Sequence, residues 1–114
     1  MYAGHNSDVE AEITFLRTLE GGREGPVRTG YRPQFFYQGE DHDAIHEYIN
    51  REEVCPGDTV IVHLHFLHPE LLFERLCPGE HFEIREGVRT VARGSVTRIL
   101  NLVKNAEGGL QKAV

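Results

Sequence analysis

The segment Thr59–Phe66 alternates without a break. Val60, Val62, Leu64 and Phe66 point one way, and Ile61, His63 and His65 point the other. A period of two is the signature of a strand with one covered face. The same pattern sets Val9, Ala11, Ile13 and Phe15 against Glu10, Glu12, Thr14 and Leu16. It sets Phe82 and Ile84 against Glu83 and Arg85, and a β-branched run fills residues 89–100. Gly94 inside that last run predicts a bulge or a sharp bend. Gly/Pro-rich stretches punctuate the runs, notably residues 20–26 and the two Cys-Pro-Gly turns at Cys55 and Cys77. Residues 38–43 read as a polar loop or hairpin end, residues 44–50 as strand or short helix, and residues 70–76 as one helical turn at most. No long amphipathic helix is present. About six short strands joined by such turns predict an all-β sandwich or small barrel, and periodicity leaves both open.

Gly30-Tyr31-Arg32-Pro33-Gln34-Phe35-Phe36-Tyr37 packs a turn, a rigid extended approach and a strand into one stretch. Gly30 tolerates a backbone conformation closed to other residues, while Pro33 fixes its own φ and keeps Arg32 out of helix. Phe35 and Tyr37 then face one side, and Gln34 and Phe36 the other. An amide beside a rigid turn is well placed to present a hydrogen-bonding group outward.

The chain has 114 residues, enough for one modest core. Twelve Lys and Arg stand against eighteen Asp and Glu, which argues against bulk capture of nucleic acid by a basic face. A local basic patch remains compatible with that balance. Cys55 and Cys77 are far apart and form no CxxC, so neither a redox pair nor a four-cysteine zinc site is expected. Both are expected half-buried at their turns, bridged only if the turns meet. With no leader and no long apolar stretch, the expected compartment is the cytosol, away from membranes.

Glu12 to Leu19, Gly21-Gly22-Arg23, Gly30-Tyr31-Arg32-Pro33-Gln34-Phe35, Pro56-Gly57-Asp58, His68-Pro69 and Phe82-x-Ile84-Arg85-Glu86-Gly87-x-Arg89-Thr90-Val91 occur in this order. Together they resemble the C-terminal barrel domain of elongation factor Tu, over roughly residues 9–100, most of the chain. The resemblance implies an all-β fold, a single closed six-stranded antiparallel β-barrel. Residues 1–8 and 101–114 are expected as flexible termini. It also implies partners: the T-stem side of tRNA, a GTPase domain, or another translation-factor partner. A phosphate-binding G-x-x-x-x-G-K-[ST] motif is absent, so no GTPase activity is expected of this chain.

The RNA-binding positions implied by the resemblance are Arg23, Gln34, His68, Arg85, Glu86 and Gly87. An A-form stem offers phosphates and 2′-hydroxyls, which arginine, an amide, a carboxylate and an exposed glycine N–H can meet. Three departures alter this surface. Glu24 and Asp43 stand where the family usually has His and Thr. Glu83 stands where the family has a small residue near its GTPase-domain contact.

His42 with His46, and His63 with His65 and His68, raise a zinc site. No carboxylate or Cys joins them at recurring ligand spacing, so no metal or cofactor is expected. Nor does any arrangement of carboxylates or Cys55 name a reaction. The expectation is a non-catalytic binding module contacting tRNA or the translation apparatus. The alternative is a protein-interaction module acting through exposed apolar positions such as Ile61 or Leu72.

Overall fold

A computed structural model of the chain describes residues 6–112. Each apolar alternation becomes a strand: β1 Val9–Phe15, β2 Gln34–Tyr37, β3 Glu40–Tyr48, β4 Thr59–Phe66, β5 His81–Glu86 and β6 Arg89–Ile99. They close in the order β1-β4-β3-β2-β5-β6, every pair antiparallel, with β6 returning to β1. Closure removes the exposed sheet edges that invite pairing with other chains. It also settles the choice between sandwich and barrel.

The inward set is the one that alternation assigns. Val9, Ala11, Ile13, Phe35, Val62, Leu64, Phe66 and Ile84 are all buried. Phe35 lies at the centre, stacked on Phe82 with ring centroids 4.4 Å apart and edge-on to Phe66 at 4.9 Å. Fully burying such a side chain stabilises the fold by about 1.5–3 kcal/mol.

Turn chemistry sets the strand ends. Gln38 and Gly39, both at positive φ (48° and 79°), join β2 to β3 in a two-residue turn. The polar segment at residues 38–43 is therefore mostly strand, and so are residues 44–48. Asp58 N donates to Cys55 O and Glu80 N to Cys77 O, each turn with its glycine at positive φ. Cys55 and Cys77 are free and exposed rather than half-buried, because each side chain leaves its turn toward solvent.

Gly94 carries no bulge. The register shifts occur between Glu10 and Ala11 and between Ile84 and Arg85. A Cβ at Gly94 would instead lie 2.7 Å from Phe82 Cζ and 2.7 Å from the Glu12 carbonyl. The glycine makes room for the Phe82 ring.

One 3-10 turn, η1 (Thr18–Glu20), follows β1, a second, η2 (Pro69–Leu71), follows β4, and residues 101–114, expected as a tail, contain the helix α1 (Leu102–Lys112). Leu102 and Ala106 recur at helical spacing and are fully buried, with α1 lying against η2. That short stripe, followed by two glycines, carries little signal by itself. Packing against η2 decides it. Of the N-terminal segment expected to be flexible, residues 1–5 lie outside the described residues. Asp8, by contrast, is fully buried and its carboxylate accepts a 2.7 Å hydrogen bond from Phe66 N.

Candidate nucleic-acid interface

The approach to β2 is fixed before the strand begins. Gly30 N donates to His46 O and His46 N donates to Tyr31 O, so residues 30 and 31 already run beside β3. Pro33 is buried, and Gln34 emerges from it facing outward. Register places Gln34 between Asp43 on β3 and Arg85 on β5. Its Nε2 donates to Asp43 Oδ1 at 3.2 Å, which leaves the amide oxygen available as an acceptor. Arg32 Nη2 approaches the other Asp43 oxygen at 3.9 Å. Asp43 is thus held by its own neighbours.

The Arg85 guanidinium lies over the Phe36 ring, its carbon 3.9 Å from the centroid. Its Nε is buried with no hydrogen-bond partner, 3.9 Å from Glu83 Oε1. Glu83 in turn accepts a 2.6 Å hydrogen bond from Thr90 Oγ1. The side chain of Arg85 is 25% exposed, and since Nε is covered that exposure belongs to its other atoms.

One strand-end farther on, Glu86 Oε2 accepts from both Arg23 Nη1 and the Tyr31 hydroxyl. Arg89 Nη2 stands 3.7 Å from the other oxygen. Arg23 also covers the Tyr31 ring at 5.1 Å. Burial works to raise the Glu86 carboxyl, but the Tyr31 and Arg23 hydrogen bonds outweigh it and hold the group below the usual carboxylate range. Burial, then the bond to Glu86, pushes the Tyr31 hydroxyl up. Gly87 takes the first central position of the β5–β6 turn at φ 63° and is exposed.

Five of the six expected residues therefore fall into two neighbouring sets. Gln34 meets Arg85 across strands, while Arg23 and Glu86 form one pair beside Gly87. His68 stands apart, exposed at the end of β4 and 3.5 Å from Glu70. Tyr31 and Phe36, which hold Glu86 and Arg85, were invisible as site residues. Their roles depend on cross-strand register, which no local pattern encodes. Register also creates a groove of about 560 Å³ on the outer face, lined by Glu12, Phe36, His81, Glu83, Arg93 and Ser95 among others.

The histidines scatter. His46 is fully buried with Nδ1 3.0 Å from the Tyr48 hydroxyl, His63 pairs with Glu10 at 3.3 Å, and the nearly covered His65 pairs with Glu47 at 3.0 Å. Among the described residues, no three His, Cys, Asp or Glu side chains come together as metal ligands would. Leu72, taken as an exposed apolar position, is fully buried in the core cluster, whereas Ile61 is indeed exposed.

The family model described as the elongation factor Tu C-terminal domain matches residues 3–100. The chain belongs to that family. The closed six-stranded barrel agrees with elongation factor Tu C-terminal architecture, and α1 begins just past the matched stretch. Within the family frame, Glu24 is exposed and Asp43 sits directly beside Gln34.

Proposed function

We propose that this domain is a non-catalytic module of translation that binds RNA, aminoacyl-tRNA foremost, through the outer face of β2 and β5. The observation that carries the reading is the arrangement of Gln34 and Arg85. They are direct cross-strand neighbours, the arginine is held over the Phe36 ring with its terminal nitrogens unclaimed, and the amide retains an open acceptor. A phosphate and an adjacent 2′-hydroxyl are the groups such a pair fits. Membership of the family supplies the link to translation. Arg23 and Glu86 serve this face by fixing the β5 end, since each is already engaged with the other. GTP hydrolysis is no part of the domain's own chemistry.

Titration of labelled aminoacyl-tRNA at low and physiological salt tests this. Binding should fall steeply with salt, by counterion release, and Arg85→Ala should reduce the slope by about one. Gln34→Ala should weaken binding with the slope unchanged. Absence of binding at low salt would sink the reading.

A protein partner is the second reading, and the groove favours it. A depression carrying Glu12, Glu83 and Arg93 beside an aromatic ring suits a polar protein surface, such as a GTPase domain whose contacts have changed. Such binding would tolerate salt better and would respond to Glu83→Ala rather than to Gln34→Ala.

A further inference from the structure

We infer that Phe36 is a positioning residue for Arg85, and that it commits the guanidinium to gripping one backbone phosphate end-on. The inference rests on the RNA-binding reading above. Arginine can engage an anion side-on through Nε and one Nη, or end-on through both Nη atoms. In this structure the side-on fork is closed, because Arg85 Nε is buried against the barrel without a hydrogen-bond partner. What remains is the end-on pair.

Phe36 supplies the constraint. It occupies the outward position two residues beyond Gln34 on β2, and its register partner on β5 is Glu83. Arg85 must therefore reach diagonally across the strand pair to lie on the ring, at 3.9 Å from the centroid. That separation is well inside the range of a cation–π contact, and the ring, together with the more distant Glu83 carboxylate, holds the charge. Arg23, by contrast, is tied closely to Glu86, so its positive charge is largely answered within the protein. An aromatic face orients a guanidinium without occupying its N–H donors. Glu83, the acidic neighbour, has one oxygen engaged by Thr90 Oγ1 and stands 3.9 Å from Nε, beyond hydrogen-bonding distance. The result is a planar fork held on the outer face by an arginine whose register partner is Gln34.

The test is a double-mutant cycle on labelled aminoacyl-tRNA binding, with Phe36→Leu, Arg85→Ala and the double variant, and Phe36→Trp as the conservative rescue. Phe36→Leu should weaken binding about tenfold in the native background and have almost no effect once Arg85 is gone. Phe36→Trp should restore most of the loss, and Arg85→Lys, which lacks the fork, should behave like Arg85→Ala. A separate NMR readout needs no RNA: the Arg85 Nε–H proton should be ring-shifted and protected from exchange, and should lose both properties in Phe36→Leu. Equal losses from Phe36→Leu with and without Arg85 would overturn the positioning role while leaving the RNA reading intact. A ring-shifted Arg85 in a domain that binds no tRNA would overturn both the grip and the reading beneath it.

Discussion

His46 sits fully buried in the barrel wall, edge-on to Tyr31 at 5.4 Å and to Tyr48 at 5.6 Å, with Nε2 lacking a partner. Such a ring is stable only when neutral, and burial lowers its pKa to about 3. Its unfolded counterpart titrates near the ordinary 6.5. The sign follows from linkage: the folded state resists the proton, so the stability is intact above pH 6.5 and is lost as pH falls toward 3. Urea denaturation between pH 7 and 5 should show stability dropping by up to about 1.4 kcal/mol per pH unit below the unfolded pKa. His46→Leu should flatten that slope. His42, also lowered by burial, contributes the same sign and stays in the variant, so some slope should persist. An unchanged slope in His46→Leu would mean that the ring is not held neutral.

At the scale of elements, α1 is the part that strand periodicity gives no warning of. It closes one end of the molecule by holding the chain that leads into β1. Asn105 Nδ2 donates to Asn6 O and to Asp8 Oδ1, both at 2.8 Å, and Asn101 Nδ2 donates to Ser7 O at 2.9 Å. Leu100 N and Asn101 N both donate to Asp8 O. A buried carboxylate that loses one of its donors is costly, so Asn105→Ala should destabilise the fold by about 1–3 kcal/mol in chemical denaturation. Hydrogen exchange at Phe66 N, which donates to the same carboxylate, should accelerate with it. A neutral effect on both would show α1 to be an appendage. The strands, by contrast, were largely legible, because β1 and β5 each bury one set and leave the other at least partly exposed, and β4 does so until His65, which is buried on the outward side. The β2–β3 turn was not. Gln38 is an unusual residue for positive φ, and Asp41, His42 and Asp43 look like loop until backbone pairing with β2 makes them strand.

For the whole molecule, the formal net charge of −6 opposes approach to RNA, and two of its carboxylates replace the family's usual residues. Glu24 is exposed beside the Arg23 turn, and Asp43 lies next to Gln34. Replacing both with the family's usual residues, Glu24→His and Asp43→Thr, should tighten tRNA binding. The expected gain is of order 1 kcal/mol per charge removed, roughly fivefold each, shrinking as salt is raised. Unaltered affinity would place the RNA elsewhere on the barrel.

The sequence alone determined the strand-rich class, the inward and outward sets, the Cys-Pro-Gly turns and the motifs that mark the family. All of these are local, written in alternation and in backbone-restricted residues over a few positions. Only the tertiary structure decided which outward residues meet. Arg85 on Phe36, Glu86 between Arg23 and Tyr31, and Asn105 on Asp8 join positions that local pattern keeps separate. Barrel closure fixes those registers, and a side chain's chemistry is set by the neighbour that register brings to it.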